Sequence, residues 1–86
     1  MLTRRLEIHN ATGLHTRPGT GFVRLAKTFA CEVSIRKGDR TANAKSLVKL
    51  LLIGISQSDV IELACDGADE EQALASLTQY IQDLTE

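Results

Sequence analysis

The spacing of apolar residues changes from a two-residue period to a helical period three times along this 86-residue chain. Alternating segments predict four strands, at residues 2–8, 31–35, 41–44 and 60–65. Helical stripes predict three helices, which start near residues 16, 46 and 69. In the order βαββαβα, these elements most simply form one antiparallel sheet with helices on one face, a two-layer α+β domain.

Residues that start and stop helices mark the ends of the predicted helices. Thr16 and Ser46 are favoured N-cap residues, and Pro18 suits a first turn, where its missing N–H costs nothing. Gly54 is expected to end the second helix, because glycine readily adopts the left-handed conformation that follows a helix. A capping box from Asp69 to Gln72 is expected to open the third helix, which should run to the end of the chain.

The composition, with 43% hydrophobic and 24% charged residues, is that of an ordinary globular protein and excludes disorder. We expect residues 1–86 to form a single domain. The longest apolar run, Leu50 to Ile53, is far shorter than a membrane span. Because no apolar segment follows Arg4 and Arg5, we expect no secretory signal, and we expect a cytoplasmic protein without membrane insertion. Cys31 and Cys65 do not form a C-x-x-C pair, and we interpret them as small core residues rather than as metal ligands or redox-active thiols.

The charged residues are distributed unevenly along the chain. Residues 1–49 contain all ten Lys and Arg residues and three acids, whereas residues 50–86 contain eight acids and no base. This asymmetry predicts an electropositive region that steers the domain toward an acidic partner. Nucleic acid is a poor candidate for that partner, because the chain has three aromatic residues, no basic run and a strongly acidic second half.

The stretch GLHTRPG around His15 contains the residues that are best suited to react or to bind a ligand. His15 stands where a turn meets a predicted helix, and the N–H groups and dipole of a helix start favour a bound anion, above all phosphate. Arg17 adds a permanently charged, forked donor that suits phosphate oxygens. We expect Pro18 to hold the first turn, and the flanking Gly13 and Gly19 to leave room for an approaching group.

These residues predict a nucleophilic or phosphate-binding histidine; the alternative is an ordinary surface histidine beside a solvated arginine. A hydrolase would also need a general base and an oxyanion site. His9 is expected to face solvent on the first strand, and the position of Asp39 in a turn leaves a triad speculative. The site therefore suits a group that is accepted and passed on, with no cofactor and no metal, rather than a complete catalytic cycle.

The second predicted helix carries more apolar residues than one face can bury. At 100° per residue, Leu50 and Ile53 lie on one side. Four others spread over a different arc: Leu47, Val48, Leu51 and Leu52. Part of this arc is expected to form an exposed docking patch, unless strand and loop contacts cover it. The basic residues expected around it are Arg17, Arg24, Lys45 and Lys49. Such a surface fits a partner with an apolar groove and an acidic rim.

Ser46 has a sufficient structural role as the N-cap of this second helix. A phosphate at that position would be tolerated by the helix end and would add negative charge beside the docking patch. Regulation through Ser46 is therefore a hypothesis that stands beside the structural interpretation.

Three segments together resemble the HPr family, the histidine phosphocarriers of the bacterial sugar phosphotransferase system. The segments are GLHTRPG around His15, AKSLVKLLLIGISQSD from Ala44 to Asp59, and the closing acidic helix, and the resemblance covers essentially the whole chain. It implies an open-faced β-sandwich, in which three helices cover one face of a four-stranded antiparallel sheet. It also implies a phosphocarrier in a relay rather than an autonomous enzyme.

The resemblance further implies roles for individual residues. His15 would accept a phosphoryl group at Nδ1 from enzyme I, which draws it from phosphoenolpyruvate, and would pass it to the A domains of enzymes II. Arg17 would stabilise the phosphoryl group. Ser46 would be the target of a serine kinase in some bacteria, with a phosphatase and regulatory proteins as further partners. The partner surface would comprise Thr16, Thr20, Arg24, Lys27, Leu47, Val48, Lys49, Leu51 and Leu52. We expect a monomer that binds no nucleic acid.

Two residues depart from the family's usual pattern. Gly19 stands where alanine is common, and it is expected to loosen the first helix by up to about 1 kcal/mol. Ser58 stands where glycine is common, and it is expected to alter only a turn. Two alternative functions stay open: a carrier in a regulatory or nitrogen-linked branch, and a binding module controlled by phosphorylation at Ser46.

Overall fold

The computed structural model describes residues 1–85 and has the predicted order of elements. The strands and helices are β1 (Leu2–Glu7), α1 (Thr16–Lys27), β2 (Glu32–Lys37), β3 (Arg40–Asn43), α2 (Leu47–Ile53), β4 (Val60–Asp66) and α3 (Glu70–Gln82). None of the helices in the described part of the chain is long and apolar enough to cross a membrane.

The four strands form one antiparallel sheet in the order β1-β4-β2-β3. β4 lies between β1 and β2, so that Leu63 is paired with Arg4 on one side and with Ile35 on the other. Buried residues alternate with less buried ones along β4, as expected for a sheet with one covered face. α2 packs on β3, α3 packs on β4 and β1, and α1 contacts the other two helices. The predicted open-faced sandwich is confirmed.

The core lies between the covered face of the sheet and the three helices. Its largest fully buried side chains include Phe22, Ile8, Ile35, Leu50, Ile61, Leu63, Leu77 and Ile81. Cys31 and Cys65 are free and buried, which confirms their placement in the core. Burial raises the pKa of the Cys65 thiol to about 11, so this thiol stays protonated at neutral pH.

One predicted N-cap and one predicted capping box are wrong. The N-cap of α1 is His15 rather than Thr16, because the extended backbone of His15 leads directly into the helix and its carbonyl accepts the Gly19 N–H at 2.7 Å. Asp69 is the N-cap of α3, but its side chain makes no capping hydrogen bond, so the capping box with Gln72 does not form.

The Asp69 carboxylate holds the start of β2 instead of the start of its own helix. It accepts the N–H groups of Ala30 and Cys31 at 2.8 and 2.9 Å. Glu70 accepts the Gly67 N–H at 3.1 Å and so closes the turn before α3. Capping rules consider only residues that are close in sequence. Here the Asp69 carboxylate instead binds the N–H groups of Ala30 and Cys31, which are distant in sequence.

The apolar stripe predicted for α3 is present. Leu77 and Ile81 are fully buried, and Leu74 and Leu84 are partly buried against the core. The helix ends at Gln82, earlier than predicted, although Leu84 beyond it still packs on the core. The part of the prediction that concerns residue 86 lies outside the described residues.

Ser58 lies in the turn that precedes β4. Its φ of +74° is the only positive value at a non-glycine residue within residues 1–85. Because this left-handed conformation favours glycine, the serine introduces backbone strain into the turn.

The Asp69 contact predicts an acid-sensitive fold. Hydrogen bonds from the Ala30 and Cys31 N–H groups hold the pKa of Asp69 below its ordinary value. Such a carboxylate stabilises the fold above its unfolded pKa of about 4, and the contribution is lost as the pH falls through the folded pKa. In urea titrations at pH 7, Asp69→Asn should therefore unfold at lower urea than the unmodified chain, and the difference should shrink as the pH is lowered through the acidic range.

Asp39→Asn, the same chemical change in the exposed turn between β2 and β3, serves as the control and should keep the original urea midpoint at pH 7. Equal midpoints for Asp69→Asn and the unmodified chain at pH 7 would show that the Asp69 contact does not stabilise the fold.

Candidate functional site

His15 forms the boundary between the turn after β1 and helix α1. Its backbone is extended, with φ −77° and ψ −167°, and its side chain makes no capping hydrogen bond. The side chain is exposed. An exposed neutral imidazole presents a nitrogen lone pair that a reacting group can approach.

The amino end of α1 places hydrogen-bond donors beside His15. Helix geometry directs the first-turn N–H groups of Thr16 and Arg17 out of this end. Pro18 has no N–H, and the Gly19 N–H is bonded to the His15 carbonyl at 2.7 Å. The dipole of this 12-residue helix favours an anion at the same place, and the exposed Arg17 side chain adds a full positive charge.

The turn before His15 is fixed by the backbone of the segment that follows α2. The buried Leu14 donates its N–H to the Ile55 carbonyl at 3.2 Å. Gly13 has φ +62°, and a Cβ atom at this position would overlap the Ile55 carbonyl oxygen. The Asn10 side-chain amide donates to the Gly13 carbonyl at 2.8 Å and holds the turn from within.

Gly13 is therefore required by packing, whereas the position of Gly19 would accept a methyl group. Both glycines are buried, so the prediction that they leave room for an approaching group is wrong. Gly13 is buried against the segment after α2. Gly19 is also buried, and a Cβ atom there would lie 3.4 Å from the Leu14 carbonyl oxygen and 3.6–3.7 Å from the side chains of Leu47 and Leu50. Gly19 thus faces α2 rather than the surface on which an incoming group would arrive.

Tyr80, in α3, anchors α1, a contact that the sequence analysis missed. Its hydroxyl donates to the Pro18 carbonyl at 2.8 Å, and its ring packs edge-on against Phe22 with 6.0 Å between the ring centroids. Gly21 makes room for the hydroxyl, because a Cβ atom at position 21 would overlap it. A glycine inside a predicted helix is the one signal in the sequence that could have indicated this close approach.

The docking patch predicted on α2, formed by Leu47, Val48, Leu51 and Leu52, is present on the surface. Val48 and Leu52 are 69% and 72% exposed, and Leu47 and Leu51 are half-buried. The opposite side of α2 is buried against the core. Exposed basic residues on α1 and α2 are Arg17, Arg24, Lys27 and Lys49.

Lys45 does not belong to this basic group, contrary to prediction. Its Nζ donates to the Phe29 carbonyl at 2.7 Å, so the side chain holds the loop after α1.

A depression of about 260 Å³ lies beside His15, and Thr16, Leu51 and Ser56 are among the residues that surround it. The amino end of α1 and the docking patch therefore form one continuous surface.

Ser46 is the N-cap of α2, as predicted. Its Oγ accepts the Lys49 N–H at 3.4 Å, and its side chain is half-buried. The fold alone therefore accounts for a serine here, and regulation through Ser46 stays a prediction.

The remaining candidate residues lie in other parts of the fold. His9 is exposed, as expected, but it follows β1, and its Nε2 lies 3.1 Å from the Ile81 carbonyl at the end of α3. Asp39 lies in the exposed turn between β2 and β3. Among residues 1–85, no three His, Cys, Asp or Glu side chains are grouped as metal ligands would be.

Comparison with known proteins identifies the family. The profile of the "PTS HPr component phosphorylation site" matches residues 2–83. The chain belongs to the HPr family. It is 40% identical over 81 residues to phosphocarrier protein HPr of Haemophilus influenzae, covering 94% of this chain and 95% of the relative. It is 41% identical over 81 residues to phosphocarrier protein HPr of Neisseria meningitidis serogroup A, covering 94% of this chain and 91% of the relative.

Solved HPr structures share the fold. HPr-C-His from Thermoanaerobacter tengcongensis has a TM-score of 0.93 at 38% identity, covering 95% of this chain and 92% of that one. An HPr dimer from the same organism has a TM-score of 0.76 at 39% identity, covering 90% of this chain and 88% of that one. The chain is a phosphocarrier of the phosphotransferase system, and its partners are proteins of that system.

The surroundings of Gly19 predict a stabilising substitution. A Cβ atom at position 19 would make ordinary contacts with Leu14, Leu47 and Leu50. Alanine also favours a helix over glycine, so Gly19→Ala should raise the free energy of unfolding by about 0.5–1 kcal/mol, measured by urea titration.

Gly21→Ala, two residues further along the same helix, is the matched control and should destabilise the fold, because its methyl group would overlap the Tyr80 hydroxyl. A loss of stability in Gly19→Ala comparable with that in Gly21→Ala would contradict the packing described for α1.

Proposed function

We propose that His15 takes up the phosphoryl group and passes it on, and that Arg17 stabilises the group while it is bound. The observation that carries this proposal is the exposed imidazole at the amino end of α1, in a chain that matches the profile of an HPr phosphorylation site. Helix-end N–H groups and an arginine suit a group that distributes negative charge over three oxygens.

Transfer of the group needs positioning and charge stabilisation more than covalent machinery. An imidazole nitrogen of His15 forms a bond to phosphorus while the bond from phosphorus to the donor's histidine breaks, and the donor nitrogen keeps the electron pair. A second transfer of the same kind passes the group to the next protein. Because His15 is exposed rather than enclosed, the bound group stays accessible to an acceptor.

The docking patch and its basic surroundings would bring these partners to His15. We assign binding of enzyme I, and then of the A domains of enzymes II, to the docking patch together with Thr16 and Thr20 on α1. Arg24, Lys27 and Lys49 favour a partner with acidic groups around an apolar groove. The position of the patch next to His15 supports the use of one surface by successive partners.

The wider setting belongs to the same proposal. We place the carrier in the cytoplasm as a monomeric single domain over residues 1–86, which leaves the exposed side of α2 to its partners. Phosphorylation of Ser46 by a serine kinase would add negative charge next to Val48 and Lys49 and weaken binding of an acidic partner. A carrier in a regulatory or nitrogen-linked branch would use the same His15 and would differ in the proteins that it binds.

Labelling with enzyme I and radiolabelled phosphoenolpyruvate tests the assignment of His15. The unmodified chain should acquire label that is stable in alkali and labile in acid, as expected for a phosphorus–nitrogen bond. His15→Ala should acquire none, whereas His9→Ala, which removes the other histidine, should be labelled like the unmodified chain.

Arg17→Met should still be labelled on His15, but about tenfold more slowly, because one charged donor to the transferring group is lost. Equal labelling of His15→Ala and the unmodified chain would contradict the assignment. Label that depends on ATP and a kinase, and that is lost in Ser46→Ala, would favour the alternative of a regulatory module.

The docking patch predicts a selective loss of affinity. Leu52→Ser, at the most exposed residue of the patch, should weaken binding to enzyme I by about tenfold in a calorimetric titration, because an apolar contact at the interface is lost. Val60→Ser removes an exposed apolar side chain from β4, on the face of the sheet away from the helices, and should leave the affinity unchanged. Equal affinities for Leu52→Ser and the unmodified chain would place the interface elsewhere.

A further inference from the structure

Lys37, the last residue of β2, joins two parts of the segment that follows α2. Its Nζ donates to the Gly54 carbonyl at 2.7 Å and lies 2.8 Å from Oδ2 of Asp59. Neither Lys37 nor Asp59 belongs to the docking patch or to the turn that carries His15. The two contacts together bridge residues 54 and 59 from a neighbouring strand.

The first contact places a positive charge at the carboxyl end of α2. The helix has no basic residue in its last turn, and it ends at Gly54 in the left-handed conformation. Carbonyl groups at a helix end carry partial negative charge and are stabilised by a nearby cation. Lys37 supplies that cation from β2, so the end of α2 is fixed by a residue outside the helix.

The second contact orders the loop between α2 and β4. Oδ2 of Asp59 also accepts the Ser56 N–H at 2.7 Å, which closes the loop on itself. The hydrogen bond from Lys37 holds the pKa of Asp59 below its ordinary value, which favours the ionised carboxylate that accepts both donors. The Asp59 carbonyl accepts the Ile8 N–H at 2.8 Å and ties the loop to the end of β1.

The segment held in this way is the one on which the His15 turn rests. Its Ile55 carbonyl accepts the Leu14 N–H at 3.2 Å, and Gly13 packs directly against it. Gly54, Ile55 and Ser56 also line the depression beside His15. A displacement of residues 54–59 would therefore move both the backbone that orients His15 and one wall of the surface next to it.

We propose that Lys37 and Asp59 are positioning residues for phosphoryl transfer: by holding residues 54–59 in place, they fix the turn that aims His15 at its partner. This inference rests on the proposed role of His15 as the phosphoryl acceptor. Lys37 and Asp59 act through the backbone of Ile55 and Leu14, and neither is assigned a contact with the transferred group. Because phosphoryl transfer requires the reacting atoms to be closely aligned, a small displacement of His15 is sufficient to slow it.

Lys37→Met tests the proposal, because it keeps the aliphatic length of the side chain and removes both contacts of Nζ. Hydrogen exchange of the Leu14 amide should become about fivefold faster, the change expected when one partly exposed ion pair is lost. The maximal rate of phosphoryl uptake from phosphorylated enzyme I should fall by a similar factor, with a smaller change in KM because the docking patch is intact. Lys37→Arg, which retains the charge, should restore most of both values.

Arg36→Met is the matched control. Arg36 precedes Lys37 in β2, and its guanidinium forms an ion pair with Glu62 at 3.1 Å on the opposite face of the sheet. This variant should keep the original exchange rate at Leu14 and the original rate of uptake. Unchanged exchange and uptake in Lys37→Met, or equal losses in Lys37→Met and Arg36→Met, would overturn the proposal. If His15→Ala is still labelled, the proposed function fails by itself, and exchange at Leu14 still reports whether Lys37 holds the turn.

Discussion

The hydrogen bond from the Leu14 N–H to the Ile55 carbonyl is the contact on which the rest of the site depends. It joins the turn that carries His15 to the segment after α2, and the two backbones approach closely because residue 13 has no Cβ. With these segments joined, the amino end of α1 and the exposed side of α2 lie on one surface. The group to be transferred and the partner that delivers it can then meet without an enclosed pocket.

The basic side chains of this chain have two separate uses. Arg17, Arg24 and Lys49 are exposed on α1 and α2, where we propose that they favour an acidic partner. Lys37 and Lys45 instead donate to backbone carbonyls, those of Gly54 and Phe29, and so hold the segments that frame the helices. Part of the positive charge in the first half of the sequence therefore supports the backbone around the site, and another part is available for the proposed recognition of partners.

Local rules predicted most of the fold, because each element carries its own pattern. The alternation in β4, the N-cap at Ser46 and the stop at Gly54 depend on residues within a few positions of one another, and all three were predicted correctly. The contacts that were missed join distant positions: Asp69 binds Ala30 across 39 residues, and Tyr80 binds Pro18 across 62. Since a carboxylate or a hydroxyl can bind many partners, the sequence alone does not specify which partner the tertiary structure provides.

The most direct test of this account is a comparison of ¹H–¹⁵N spectra before and after phosphorylation by enzyme I and phosphoenolpyruvate. A phosphoryl group held on His15 at the amino end of α1 should produce its largest amide shifts at Thr16 and Arg17, together with changed imidazole nitrogen signals of His15. The same treatment of His15→Ala should leave the spectrum unchanged. Largest shifts around His9 or Ser46, with Thr16 and Arg17 unaffected, would contradict the central claim.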